Sequence, residues 1–97
     1  MNKELNNYNN NPFKEILPGE KVIAVSFKSS DGKIEFCFPC KNTTPFVKIE
    51  EKLYDEYPEY KETDNYFLVN GSKVKRFKTI EENNIKSGNT IYLYNVE

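Results

Sequence analysis

Histidine is absent from the 97 residues, and cysteine occurs only twice. Without histidine the chain lacks the usual general acid and base, the commonest metal ligand and the pH switch near neutrality. Two thiols cannot build the disulfide framework of a small secreted domain. They also fall short of the four ligands of a structural zinc site, unless two chains share one. No apolar run approaches the roughly 20 residues of a membrane span. The opening Met1–Asn7 stretch lacks the basic-then-apolar pattern of a secretory signal. The expected setting is therefore reducing, cytoplasmic or nuclear, with no membrane association. A charge excess is missing too, since 14 basic against 15 acidic residues leave −1. That balance argues against nucleic acid as a partner, because such binding draws its affinity from phosphate neutralisation. There is no Ser-His or Cys-His pairing, no glycine-rich phosphate loop and no cluster with metal-ligand spacing. Neither an enzyme, nor a cofactor, nor a small-molecule substrate is expected.

What is present fits one folded domain. A chain of this length buries about 60–65% of its unfolded surface, enough for a single core. Residues 1–20 stand apart from it as a polar arm. Asn6-Asn7-Tyr8-Asn9-Asn10-Asn11 has too few apolar groups to offset the entropy of ordering. Within the arm, Phe13, Ile16 and Leu17 share one face of a single helical turn, and Pro18-Gly19 then breaks the chain. These three are candidates for docking, either beside the first strand or in a partner's groove.

Residues 21–97 carry the regular patterns. Ile23, Val25 and Phe27 alternate with Ala24, Ser26 and Lys28. After the Ser29-Ser30-Asp31-Gly32 turn, Ile34, Phe36 and Phe38 alternate in the same way. The two runs read as a β-hairpin with one apolar face. Thr43-Thr44-Pro45 has the form of an N-cap followed by proline at the first helical position. Phe46, Ile49, Leu53 and Tyr57 then make a helical stripe, which Pro58 ends. A polar loop leads to the short run Tyr66-Phe67-Leu68-Val69, an Asn70-Gly71 turn and a return strand over Ser72–Val74. Phe77, Ile80 and Ile85 are expected to anchor a long connection. Ile91–Tyr94 is the last strand. The order is ββαββ, a connection, then β: an α+β fold. The expected core is Ile23, Val25, Phe27, Ile34, Phe36, Ile49, Leu53, Phe67, Val69, Ile80, Ile85, Ile91 and Leu93.

The segments Phe67–Val74 and Thr79–Leu93 resemble the ubiquitin-like β-grasp family. There a glycine turn joins the third and fourth strands, and a Thr-Leu pair, a polar turn, an Ile and a Gly precede the final strand. The resemblance covers about residues 21–96. It implies a mixed sheet in the order second, first, fifth, third, with the short fourth strand at the far end and one helix across it. It also implies a protein-interaction module, an adaptor, whose partner grips the open face of the sheet. The family's central isoleucine matches Leu68, its neighbouring histidine Tyr92 and the valine beyond Tyr94. The leucine at its first hairpin tip has no counterpart, since Ser30 stands in a shorter turn. Strand alternation sends Tyr66, Leu68, Tyr92 and Tyr94 away from the helix, an exposed cluster on the order of a few hundred Å². The plain alternative is that tyrosine simply suits a half-exposed strand.

The departures bear on mechanism. Conjugating relatives end in Gly-Gly, whereas this sequence ends Tyr94-Asn95-Val96-Glu97. A non-conjugating module is the expectation, ahead of a structural subunit anchored by the N-terminal arm and of a conjugated modifier. The family's principal linkage lysine is matched by Ser72. Three further features remain. Cys37-Phe38-Pro39-Cys40 has redox spacing, but it follows a strand pattern and reads as structural. Lys73, Lys75, Arg76 and Lys78 form a candidate basic patch near the fourth strand, apart from Glu50, Glu51, Asp55, Glu56 and Glu59, which crowd the helix. Such a split either steers a partner or is an ordinary solvated surface. Asn42-Thr43-Thr44 and Asn70-Gly71-Ser72 match glycosylation acceptors, unused without secretion.

Overall fold

The computed structural model describes residues 16–96. The first alternating run forms β1 (Val22–Ser29) and the second β2 (Glu35–Lys41), antiparallel to it. Their register sets Val25 opposite Phe38 and Phe27 opposite Phe36, so one face is apolar throughout. Gly32 turns the chain at φ +78°, a conformation that side chains disfavour. Next come α1 (Phe46–Glu56), a 3₁₀ helix (Pro58–Glu62), β3 (Asn65–Val69), β4 (Ser72–Lys73) and β5 (Thr90–Asn95). The sheet order is β2-β1-β5-β3-β4, with β1 and β5 parallel at the centre and the other pairs antiparallel. This is the expected β-grasp arrangement.

α1 lays Phe46, Ile49 and Leu53 on the sheet, each fully buried. Val25, Phe27, Ile34, Phe67, Val69, Ile80, Ile85, Ile91 and Leu93 meet them there. Cys40, Tyr60 and Val74 complete the core. Phe27, Phe46 and Phe67 pack edge-on and tilted, with centroids 5.0–6.1 Å apart. Two expected core residues, Ile23 and Phe36, are only partly buried. Phe36 lies on β2, an edge strand that α1 leaves half covered. Ile23 lies near the start of β1, at the margin of the sheet.

Three local expectations are corrected. The N-cap of α1 is Pro45, in extended backbone, and it makes no side-chain cap. The first-turn amides find tertiary partners instead: Phe46 and Val47 donate to the carbonyls of Lys78 and Arg76, both at 2.9 Å. Those backbone bonds turn the 76–78 loop inward and leave the ring of Phe77 pointing out. Phe77 is 85% exposed and anchors nothing. A 3₁₀ helix stands where a polar loop was read, because Tyr60 buries its ring there.

Of the arm, the structure describes Ile16–Glu20. Glu20 accepts hydrogen bonds from the Leu17 amide (2.9 Å) and the Thr43 hydroxyl (2.7 Å), and pairs with Lys41 at 3.5 Å. The boundary at residue 20 therefore falls within a segment tied to the body. Phe13 and the rest of residues 1–15 lie outside the described residues, as does Glu97.

Candidate functional site

Strand alternation decides which side chains reach the open face. On β3, Phe67 and Val69 enter the core while Tyr66 and Leu68 face away. On β5, Ile91 and Leu93 enter it while Tyr92 and Tyr94 face away. The antiparallel register sets Tyr66 opposite Tyr94 and Leu68 opposite Tyr92. The four residues singled out from the sequence thus form one contiguous cluster. The rings of Tyr66 and Tyr94 stack at 5.5 Å, 19° from parallel. Lys73, opposite Leu68 on β4, holds its ammonium 5.4 Å from the Tyr66 ring centre. Tyr92 is 42% exposed, and Lys28 of β1 lies beside it. A shallow depression of about 470 Å³ opens between Leu68, Asn70, Gly71, Tyr92 and Tyr94. Tight pairing of β3 with β4 shapes its rim: Asn70 and Gly71 make the turn at φ +50° and +80°. The site offers flat aromatic surface edged by cations, which suits an apolar segment better than any bond-making step.

The basic patch divides. Lys73 belongs to the open face, and Lys75 and Lys78 are exposed on the turn after β4. Arg76 turns inward, a correction to the patch. Its Nη2 lies 2.8 Å from Glu50 Oε2 and donates to the Asn65 carbonyl at 2.8 Å, and its guanidinium lies 5.9 Å from the Phe67 ring centre. Glu50 is correspondingly buried, so the basic turn and the acidic helix meet through an ion pair. Around it lies a polar cluster that the sequence reading missed. Tyr54 donates to Glu50 Oε2 (2.6 Å), and Asn65 Nδ2 donates to Tyr54 Oη (3.0 Å) and to the Tyr60 carbonyl (2.8 Å). Burial, followed by the Glu50 carboxylate beside it, pushes the Tyr54 phenol up to about 12. The available signal was the Glu50–Tyr54 spacing of four, one position off the apolar stripe.

The cysteines are free and lie on opposite faces of β2, Cys37 exposed and Cys40 buried. Burial pushes the Cys40 thiol up to about 11, away from reactivity. Among the described residues no group of three His, Cys, Asp or Glu gathers as around a metal ion. None of their helices is long and apolar enough to cross a membrane. Ile16 and Leu17 are exposed, at 43% and 62%.

A second concavity, about 640 Å³, runs between β2 and α1 on the helix side of the sheet. Phe36, Phe38 and Ile49 make its floor, and Lys41, Lys48, Lys52, Asp55 and Glu56 its rim. It exists because α1 leaves the edge strand half covered, and nothing in the sequence pattern announces it.

No family model and no curated protein matches this sequence. Solved structures do match. The UBL domain of Plasmodium falciparum Dsk2 is 22% identical with a TM-score of 0.67, over 78% of this chain and all of that one. A de novo design based on ubiquitin is 22% identical with a TM-score of 0.66, over 76% of this chain and 88% of that one.

Proposed function

From the ubiquitin-like β-grasp fold of this chain, we propose that it is a protein-interaction module that binds its partner non-covalently through the open sheet face. Tyr66, Leu68, Tyr92 and Tyr94 are the contact residues. The observation that carries this reading is the stacked Tyr66–Tyr94 pair continuous with Leu68 and Tyr92 on two neighbouring strands. Large, rigid aromatic side chains supply much contact area at low entropic cost, and such anchors dominate binding energy. Lys73 and Lys28 at the margin favour a partner whose apolar segment is flanked by acidic residues. The role is that of an adaptor in the cytoplasm or nucleus, with no catalytic step.

Affinity purification from native cells, with mass spectrometry, tests the reading. Wild type is compared with a Leu68→Ala, Tyr94→Ala double variant, and captured proteins are then titrated individually. Truncating one central anchor should weaken binding by about 2 kcal/mol. A partner held equally by both proteins would move the interface off this face.

A further inference from the structure

We infer that the groove between β2 and α1 is a docking site for an amphipathic helix of a partner protein, laid antiparallel to α1 on Phe36, Phe38 and Ile49. The floor is apolar and firm. Phe36 and Phe38 hold their ring centres 5.1 Å apart, and Phe38 stacks on the fully buried Phe27 beneath it. Both floor rings stay only partly buried, so an apolar stripe laid on them removes further area from water. Lys41 to Phe36 is five steps along β2, about 17 Å at the usual strand rise. That length matches about three turns of helix at roughly 5.4 Å each.

Charge order sets the direction of the occupant. α1 carries Lys48 in its first turn and Asp55 and Glu56 in its last, with no acid in the first turn and no base in the last. Each of these charges opposes the dipole of α1 itself. All three are exposed, line the groove and make no ion pair among the described residues, as does Lys52 one turn beyond Lys48. Tyr57, just after α1, packs on Phe36 and donates to the Glu35 carbonyl at 3.4 Å, so the acids rim the Phe36 end of the groove. Lys48 and Thr44 rim the other end. An antiparallel helix brings its C-terminal carbonyls to Lys48 and its N-terminal amides to Asp55 and Glu56. The charges that disfavour α1 thus favour that neighbour, and an acid in the neighbour's last turn strengthens the fit.

The edge of β2 disfavours an extended occupant. β2 is the outermost strand, and Pro39 stands near its middle, opposite Ala24. A proline has no amide to give to an added strand. A helix satisfies its own backbone and needs only the side-chain floor and the charged rim.

The groove lies on the helix side of the sheet, so the inference stands or falls independently of the open-face reading. A synthetic alanine-based peptide of about three turns, with capped ends, one leucine stripe and a glutamate in its last turn, is the probe. Titrated into the full-length labelled chain, it should shift the amides of Phe36, Phe38 and Ile49 and leave Leu68 and Tyr92 unmoved. A nitroxide on its C-terminal end should broaden Lys48, and one on its N-terminal end should broaden Asp55 and Glu56. A Lys48→Glu, Lys52→Glu double variant should bind about tenfold more weakly, whereas Lys61→Glu, outside the groove, should bind as wild type does. The Leu68→Ala, Tyr94→Ala variant should also bind as wild type does. Equal binding by the same peptide with a central proline would assign an extended occupant and overturn the proposal. Reversed nitroxide broadening, no binding at millimolar peptide, or groove shifts on dilution of the chain alone, which would assign the site to a second copy, would each overturn it as well.

Discussion

The guanidinium of Arg76 bridges three elements: it pairs with Glu50 on α1, donates to the backbone of β3, and is carried by the turn after β4. Glu50 keeps only 7% of its side chain exposed, so its charge depends on that bridge and on Tyr54. Removing one partner of such a pair leaves an uncompensated buried charge. Arg76→Ala should therefore cost about 2–3 kcal/mol, below the roughly 3–5 kcal/mol of fully buried pairs because Arg76 itself is partly in water. Urea unfolding measures this, and a loss no larger than that of Lys75→Ala would show the pair to be incidental. Leu53 is a simpler case. It is fully enclosed between α1 and the sheet, so Leu53→Ala leaves a cavity and should cost about 2–5 kcal/mol. Its burial was legible from the helical stripe. Arg76 was not legible, because four cations in a row look alike until the chain folds around one of them.

The β1–β2 turn and the 3₁₀ helix are held together by a single carboxylate. Asp31 accepts from the Ser29 hydroxyl, from the Lys33 amide at 3.0 Å and from the Tyr60 hydroxyl at 2.8 Å. Those bonds, the one from Ser29 foremost, lower the Asp31 carboxyl from 3.8 to about 2. The folded state thus favours the ionised form. Its contribution to stability is complete above pH 3.8 and is lost as the pH falls from there toward about 2. The urea midpoint should fall over that window in wild type, and Asp31→Asn should flatten the fall. An unchanged slope in the variant would remove Asp31 from the account. Elements also find their ends through one another. The amides at the start of α1 donate to the 76–78 backbone, while Thr79 and Glu82 cap the next turn reciprocally, at 2.9 and 3.0 Å. The Thr79-x-x-Glu82 pattern was there to be read. The Arg76 and Lys78 acceptors were not, since a backbone carbonyl carries no sequence signature.

Across the molecule the sheet has a protected centre and two dissimilar margins. β5 is paired on both sides, parallel to β1 and antiparallel to β3, and carries fully buried Ile91. β4 is two exposed residues long. Amides of β5 should exchange hydrogen only through global unfolding, while those of β4 exchange through local opening. Native-state exchange under increasing denaturant distinguishes the two, and equal protection would contradict this picture. The same geometry separates the two concave surfaces. The tyrosine cluster lies on the open face over β3 and β5, and the apolar groove lies on the other face over β2.

The order of the strands and the α-helix, the buried face of each and the outward set Tyr66, Leu68, Tyr92 and Tyr94 followed from the sequence alone. Periodicity is a local property: alternation in a strand and three-four spacing in a helix sort side chains by face before any tertiary contact forms. The Asn70-Gly71 and Asp31-Gly32 turns were legible for the same reason. Tertiary structure decided what depends on residues far apart in the chain. It set which cation of four meets Glu50, which way Phe77 faces, and how the first amides of α1 are satisfied. It also left β2 half covered by α1, so that Phe36, an expected core residue, and Phe38 on the same face became the floor of a groove. A single helix about 10 Å across cannot cover a five-stranded sheet whose strands lie about 4.8 Å apart, and only the packed fold determines which strand is left out.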